Sequence, residues 1–256
     1  GYETINEYME RDFVVPKDFE DYAYVSQLLQ ARGMKTANES HRRAKPYCMG
    51  TLYWQFNDCW PVTSWSSLDY YGNWKAFHYQ AKRSFENLLF SVEEENDSYR
   101  IYIVNDDLKQ YSGELVIDLI DFNGTKLWNK KIIFIASENS SKIHFEIPKK
   151  DFLAFNLKQA VLSVSFPPLE QIYTRHYFFK PKDLQITKPN IQIKIINEVT
   201  IEISSDVLAK DVFLSSENEV FFEDNYFDLL PNEKRIIKFS KPVQNIKVKS
   251  LFDTLK

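Results

Sequence analysis

The sequence has no long apolar run and no run of like charges, and each absence excludes a class of protein. Its longest apolar runs, such as residues 131–136, are far shorter than the roughly 20 residues that a membrane helix needs. The 36 acidic and 32 basic residues give a net charge of −4 and are spread along the chain. This distribution lacks the basic footprint of proteins that bind nucleic acid or a membrane surface. We therefore expect no nucleic acid and no membrane as partner.

Cysteine is also scarce, with only Cys48 and Cys59 in the chain. The two residues flank a predicted strand. Because a strand rises about 3.3 Å per residue, its ends lie well beyond the roughly 7 Å that can separate the Cα atoms of a disulfide. We expect two free thiols. No histidine lies at ligand spacing from either cysteine, so the sequence predicts no metal site and indicates no cofactor.

Helical periodicity is present up to about residue 88. Asp18 is placed to cap a helix that must end before Pro46, with an apolar stripe formed by Phe19, Tyr22, Val25 and Leu29. A second helix is predicted after Asn73, with one apolar face formed by Trp74, Phe77, Ala81 and Phe85. Between them, Met49–Phe56 is an apolar run of strand length. This part therefore predicts a helix, a buried strand, a long loop and a helix.

Short segments of alternating hydrophobicity follow residue 88, separated by turn signals such as Asn123-Gly124. The first set lies at residues 99–104, 114–119, 132–135, 142–147, 161–166 and 172–179. The second set lies at residues 191–196, 199–204, 212–214, 219–222, 235–239 and 246–248. This spacing predicts two antiparallel sandwiches joined near Lys180–Asp183. We expect a mixed fold with domains at 1–88, 89–181 and 182–256.

Four of the five tryptophans lie within residues 54–74, and the loop at 57–72 is long and rich in aromatic and amide groups. A sugar pocket needs this chemistry, because flat rings pack on the C–H face of a pyranose while amides and carboxylates bind its hydroxyls. The alternative is that the indoles belong to a hydrophobic core. The position of Trp74 on an apolar helix face favours the core, whereas for Trp54, Trp60 and Trp65 both interpretations stay open.

The carboxylates do not form a convincing catalytic pair. Glycoside hydrolysis normally uses two carboxyl groups on opposite sides of the scissile bond. Glu39 and Glu7 each follow an asparagine, but neither lies at the end of a strand, where barrel enzymes carry their functional residues. Asp58 is better placed, either to bind a hydroxyl or to cap the loop. We predict no catalytic residue in this chain, and structural or surface positions for the isolated histidines His41, His78, His144 and His176.

Residues 49–61 read Met-Gly-Thr-Leu-Tyr-Trp-Gln-Phe-Asn-Asp-Cys-Trp-Pro, and the pattern continues through Ser64–Tyr70 and Trp74–Tyr79. This run closely resembles the last barrel strand and helix of the β-mannosidases of glycoside hydrolase family 2. Residues 222–231 resemble the C-terminal immunoglobulin-like domain of the same enzymes. The resemblance implies an incomplete C-terminal piece of a (β/α)₈ barrel, followed by two immunoglobulin-like sandwich domains.

The resemblance also implies a function. Such enzymes remove terminal β-linked mannose with retention, so the expected partners are β-mannosides or mannose-containing oligosaccharides. Their acid/base glutamate lies in an Asn-Glu pair and their nucleophile in a Ser-Glu-aromatic-Gly motif, and no Ser-Glu-Phe/Tyr-Gly occurs in this sequence. We expect both glutamates, and the rest of the barrel, to lie upstream of Gly1. The chain alone is therefore predicted to be inactive.

By the same resemblance, Trp54 forms part of the floor of the mannose subsite and precedes a cis peptide bond to Gln55. Further rim residues are Asn57, Asp58, Trp60 and Trp65. Two other classes stay open, a carbohydrate-binding module and a purely structural pair of sandwiches, although neither needs a barrel strand flanked by helices. Residues 1–88 are expected to pack onto the first sandwich, pair with another copy, or lack order.

Overall fold

Helices precede strands along the chain in a computed structural model that describes residues 1–243 and 245–255. The described residues form three α-helices and thirteen β-strands. The helices are α1 (Tyr2–Asp12), α2 (Phe19–Arg43) and α3 (Ala76–Ser84). None of the described helices has the length and apolar character that crossing a membrane requires.

The predicted long helix is confirmed as α2. The side chain of Asp18 accepts hydrogen bonds from the backbone amides of Glu20 and Asp21, at 2.9 and 3.2 Å, and thereby satisfies amides that have no partner within the helix. The helix ends at Arg43, before the cis bond between Lys45 and Pro46. Helix α3 is shorter than predicted, and α1 was not predicted.

The predicted strand at 49–56 is wrong. This segment has no strand assignment, and its end makes only an isolated parallel bridge between Asn57 and Leu68. A strand of a parallel barrel is defined by pairing with neighbours on both sides. None of the described residues before Leu88 forms a strand with which this segment could pair.

The first sandwich consists of seven strands, all paired antiparallel. One sheet has the order β1-β2-β5, with β1 (Leu88–Glu94), β2 (Ser98–Asn105) and β5 (Ser140–Pro148). The other has the order β4-β3-β6-β7, with β3 (Tyr111–Asp121), β4 (Lys126–Ala136), β6 (Ala160–Ser165) and β7 (Tyr173–Tyr177). Alternate residues of both sheets form one core that includes Phe90, Ile101, Ile117, Phe134 and Leu162.

The second sandwich is smaller. One sheet has the order β12-β9-β8, with β8 (Ile191–Asn197), β9 (Thr200–Ser205) and β12 (Lys234–Lys238). The other has the order β11-β10-β13, with β10 (Ala209–Ser216), β11 (Phe227–Leu229) and β13 (Ile246–Lys249). Its core includes Ile201, Ile203, Leu214, Phe227 and Leu229.

The predicted strand at 219–222 is also wrong. Only Phe222 pairs, through an isolated bridge to Phe239. The carbonyl oxygen of Phe222 accepts instead a hydrogen bond from the hydroxyl of Tyr79 on α3, at 2.9 Å. The Phe222 ring still lies in the core of the second sandwich.

The helical segment packs onto both sandwiches. A third apolar cluster joins residues of all three helices, among them Met9, Tyr24 and Tyr79, to Tyr226 and Leu251 near the end of the chain. The contacts with the first sandwich are mainly polar, such as the hydrogen bond between Ser91 and Glu39 and the ion pair between Arg42 and Asp106. The first of our three expectations, packing onto the first sandwich, did not include the apolar packing that the segment makes against the second sandwich.

Candidate functional site

The backbone between α2 and α3 is irregular and is held by its own loop. The peptide bond between Trp54 and Gln55 is cis, as the resemblance implied. The amides of Ser67 and Leu68 donate to the carbonyl oxygens of Gln55 and Phe56, at 3.0 and 2.9 Å. The returning loop therefore lies alongside the residues that follow Trp54.

Ser67 is completely buried and connects this segment to α3. Its hydroxyl donates to the Phe56 carbonyl at 2.9 Å, and lies 2.9 Å from His78 Nδ1 and 3.1 Å from the Tyr53 hydroxyl. Because a carbonyl only accepts and a hydroxyl has one hydrogen, Ser67 accepts from both neighbours, and His78 carries its proton on Nδ1. Burial lowers the pKa of His78, which is consistent with a neutral ring.

Asp58 lies in a second buried network. Its side chain accepts from the hydroxyls of Ser64 and Ser66, both at 2.6 Å, and from Lys75 Nζ at 3.2 Å. Desolvation is the largest influence on the pKa of Asp58 and raises it, but the hydrogen bonds and the lysine together hold that pKa below its usual value. Asp58 is therefore a buried carboxylate whose two oxygens both have partners within the protein.

Asp69 shapes the last turn of the loop. Its Oδ1 accepts from the amides of Tyr71 and Asn73, both at 2.8 Å, and its Oδ2 accepts from the Asn73 side chain at 3.0 Å. Gly72 has a φ of +86° within this turn. Both carboxylates of the loop are thus used to hold its conformation.

The loop exposes aromatic rings on the outside of these polar networks. The exposed fraction is 77% for Trp54 and 64% for both Trp60 and Trp65. The three indoles stack on no other aromatic ring among the described residues. Such rings are suited to the apolar face of a sugar. These three tryptophans are thus exposed in this chain, and their assignment to a sugar site stays a prediction.

The other predicted positions differ from one another. Asn57 is exposed and its side chain donates to the Asp58 carbonyl at 3.3 Å. Trp74 is half-buried against His78, Tyr79 and Phe221, in agreement with the core interpretation.

Residues 54–74, which carry four tryptophans, are called the tryptophan loop. Neither of the two glutamates that follow an asparagine lies in it. Glu39 is buried on α2 and accepts from the Ser91 hydroxyl at 2.8 Å, and Glu7 is exposed on α1. Cys48 and Cys59 are free thiols. No group of three or more potential metal ligands occurs within residues 1–243 and 245–255.

Lys75, Ser64 and Ser66 were not predicted as site residues. One signal in the sequence could have indicated Lys75. It is the N-cap residue of α3, where the helix dipole disfavours a cation and where serine, threonine or an acidic residue is preferred. A lysine at such a position indicates that its charge is used by another part of the structure.

Comparison with known proteins finds similarity to mannosidases along most of the chain. A family model described as a mannosidase Ig/CBM-like domain matches residues 97–183, and an Ig-fold domain model of mannosidases matches residues 186–254. The β-mannosidase of Mus musculus is 27% identical over 92% of this chain. That of Capra hircus is 45% identical over 34% of this chain and 11% of its own length.

A solved structure of a β-mannosidase is similar to the chain as well. The β-D-mannosidase from Dictyoglomus thermophilum superposes with a TM-score of 0.87 at 29% identity, over 98% of this chain and 32% of its own. The chain belongs to the β-mannosidases of glycoside hydrolase family 2. It corresponds to a C-terminal portion of these proteins and spans 29% of the length of the mouse relative. The exo-chitosanase of Amycolatopsis orientalis shares the fold, with a TM-score of 0.75 at 14% identity over 97% of this chain and 37% of its own.

Proposed function

We propose that this chain is the C-terminal part of a longer, retaining exo-β-mannosidase that removes terminal β-linked mannose. Residues 1–88 form the end of its (β/α)₈ barrel, and 89–181 and 182–256 form two immunoglobulin-like domains. The observation that carries the proposal is the β-mannosidase similarity over 92% of the chain, which extends well beyond the two matched sandwich domains.

In this proposal the tryptophan loop forms one wall of the sugar site. Trp54 lies under the pyranose ring, and Trp60, Trp65 and Asn57 line the rim. The support is chemical, because exposed indoles offer flat apolar surface to the C–H face of a sugar, and a nearby amide can bind its hydroxyls. Asp58 supports the loop from beneath, since its exposed fraction is only 5% and both its oxygens are occupied.

The catalytic carboxylates come from another part of the longer protein. Retaining glycosidases need two carboxyl groups about 5 to 5.5 Å apart, one as nucleophile and one as acid/base. The carboxylates within the tryptophan loop, Asp58 and Asp69, both accept several hydrogen bonds from the loop itself. A carboxylate occupied in this way is poorly placed to attack a sugar, so the chain alone is inactive.

The test compares the longer protein with the isolated chain on an aryl β-mannoside. We expect the longer protein to hydrolyse it and to release β-mannose as the first product, observed by proton NMR before mutarotation. The isolated chain should release no aryl alcohol above background. Release of α-mannose first would exclude retention, and hydrolysis by the purified chain would exclude the assignment of both carboxylates to other regions.

A further inference from the structure

Asp58 holds the backbone on both sides of Trp65. It accepts from the hydroxyls of Ser64 and Ser66, the residues immediately before and after Trp65. The Ser64 hydroxyl also accepts from the Ser66 amide at 3.0 Å, which closes a tight turn around the tryptophan. The carbonyl of Trp65 itself accepts from the Gln30 side chain of α2, at 2.7 Å. The main chain at Trp65 is thus fixed at three points while its indole stays exposed.

Lys75 completes this network from the beginning of α3. Its Nζ lies 3.2 Å from Asp58 Oδ2 and 2.6 Å from the Ser66 hydroxyl, and the exposed fractions of the two charged side chains are 15% and 3%. The α3 amide that follows Lys75 is satisfied by another element, because Ala76 N donates to Gln27 Oε1 at 3.1 Å. The side chain of Lys75 makes no capping hydrogen bond to α3, and its ammonium group is directed at the loop.

Helix α3 is itself fixed from the opposite side by the second sandwich. The Tyr79 hydroxyl donates to the Phe222 carbonyl, and Arg83 pairs with Asp224 at 2.6 Å. A lysine carried by a helix anchored in this way gives the loop a rigid point of attachment. Residues on rigid elements hold a binding geometry more precisely than residues on a free loop.

We propose that Asp58 and Lys75 are positioning residues that set the direction of the Trp65 indole in the sugar site. This proposal rests on the proposed function. In it, neither charge contacts the sugar. Asp58 acts through Ser64 and Ser66, and Lys75 holds Asp58 in place. The competing idea, in which Asp58 binds a sugar hydroxyl directly, requires a carboxylate oxygen that the loop does not already occupy.

A double-mutant cycle in the longer protein separates these two ideas. If Asp58 acts through Trp65, Asp58→Asn should raise KM for an aryl β-mannoside about tenfold with little change in kcat, as a displaced binding contact does. In a Trp65→Ala background the same substitution should add almost nothing, because the residue that it positions is gone. Lys75→Met should follow the same pattern. Lys82→Met is the matched control. Lys82 is exposed on the same helix and bonds the Glu223 carbonyl of the second sandwich, at 3.2 Å, rather than the loop, so its substitution should change neither background.

Two further variants keep the test decisive if Asp58→Asn or Lys75→Met alone unfolds the protein. Removing both partners of a buried pair avoids a stranded charge, so the double variant Asp58→Asn/Lys75→Met should fold better than Lys75→Met alone. Ser64→Ala removes only one hydroxyl on one side of Trp65. Both variants should lose their effect on KM in the Trp65→Ala background. An equal rise in KM in both backgrounds, or an unchanged KM in the folded variants, would overturn the positioning role.

A spectroscopic measurement separates this proposal from the proposed function. In the chain itself, Asp58→Asn should change the Trp65 contribution to tryptophan emission, obtained as the difference from the Trp65→Phe form. If the unmodified longer protein does not hydrolyse β-mannosides but this emission change occurs, the proposed function fails and the network remains. If the enzyme is active and the emission is unchanged, the network fails alone.

Discussion

Trp54 and Asp58 lie four residues apart in the sequence, yet their environments are opposite. The Trp54 indole is 77% exposed, whereas Asp58 is 5% exposed and accepts hydrogen bonds through both oxygens. An exposed indole offers binding area at little conformational cost, while a buried, paired carboxylate stabilises backbone. At this scale the proposed site is a set of exposed rings held by a network of buried polar side chains.

The first residue-scale prediction concerns Trp54. In the longer protein, Trp54→Ala should lower kcat/KM for a β-mannoside by roughly 10- to 100-fold, because covering an aromatic side chain is worth about 1.5 to 3 kcal/mol. Trp54→Phe should retain part of the activity, since it keeps a flat ring. Tyr47→Ala, which removes an exposed aromatic ring outside the proposed site, is the control. If kcat/KM of Trp54→Ala were unchanged, Trp54 would have only a structural role.

His176 carries a prediction about acid stability. It borders a cavity of about 510 Å³ between α2 and the two sandwiches, and its buried Nε2 has no partner among the described residues. Burial, with smaller contributions from Lys35, Arg32 and Lys149, lowers the pKa of His176 to about 3. The unfolded chain takes up this proton near pH 6.5, so between about pH 6.5 and 3 the unfolded state binds more protons. The contribution of His176 to stability is therefore present above that window and decreases as the pH falls through it.

Urea unfolding at pH 7 and pH 4 tests this expectation. Both His176→Phe and His176→Gln should show a smaller loss of unfolding free energy between the two pH values than the unmodified chain, because neither side chain titrates. The Phe variant keeps the packing against Tyr99 and Phe178, whose ring centroids lie 5.6 and 5.2 Å from that of His176. The expectation is wrong if both variants lose as much stability as the parent.

At the scale of elements, the turn between β3 and β4 depends on glycine. Gly124 has a φ of +97°, and a Cβ at this position would lie 2.9 Å from the Pro231 Cβ of the second sandwich. The side chain of Asp121 caps the same turn by accepting from the amides of Asn123 and Thr125. Gly124 of the turn signal Asn123-Gly124 thus allows both the hairpin turn and the close contact with the second sandwich.

Two alanine substitutions compare this glycine with another. Gly124→Ala should lower the free energy of unfolding by more than about 1 kcal/mol, because the backbone is strained for an L-residue and the new methyl group meets a proline ring. Gly33→Ala, in the exposed middle of α2 with open space around it, should raise stability by about 0.5 to 1 kcal/mol. Both values come from thermal or urea unfolding. Equal effects of the two substitutions would contradict the structural distinction.

Periodicity predicted those elements whose pattern is local. Helix α2 follows from its apolar stripe and its cap, and most strands follow from alternation. Strand β1 was missed because its first four residues are all buried, which removes the alternation. A strand at 49–56 would need neighbouring strands to pair with, and the hydrophobic pattern of the segment says nothing about such neighbours. The partnership of Asp58 with Lys75 joins residues 17 positions apart, so no short pattern contains it.

At the scale of the molecule, α2 connects the helical segment with both sandwiches. Near its beginning, the Tyr24 hydroxyl donates to the Asp211 carbonyl, and Asp21 pairs with Lys249 at 2.6 Å. Near its end, Arg42 donates to the Ser84 carbonyl at 2.5 Å and pairs with Asp106 at 3.0 Å, next to β2. The segment to which we assign part of the sugar site is thereby held in a fixed relation to both β-domains.

The last prediction is that Arg42 couples the unfolding of these parts. Arg42 has an exposed fraction of 8% and donates to the carbonyl groups of Ser84 and Asn87. Arg42→Met removes these donors at a cost of about 1 to 3 kcal/mol, while Asp106 keeps its ion pair with Lys45. Four of the five tryptophans lie in residues 54–74, so tryptophan emission reports mainly on the helical segment, while far-ultraviolet circular dichroism near 215 nm reports on the sandwiches.

In the unmodified chain we expect the two signals to change together on heating, as in a single cooperative transition. In Arg42→Met, emission should change at a lower temperature than the β-sheet signal, because the sandwiches keep their own cores. Arg32→Met is the control on the same helix, since the Arg32 side chain is 41% exposed and its nearest carboxylate oxygen, on Asp12, is 4.0 Å away. Coincident transitions in Arg42→Met would mean that the apolar cluster shared with Tyr226 and Leu251 couples the parts without Arg42.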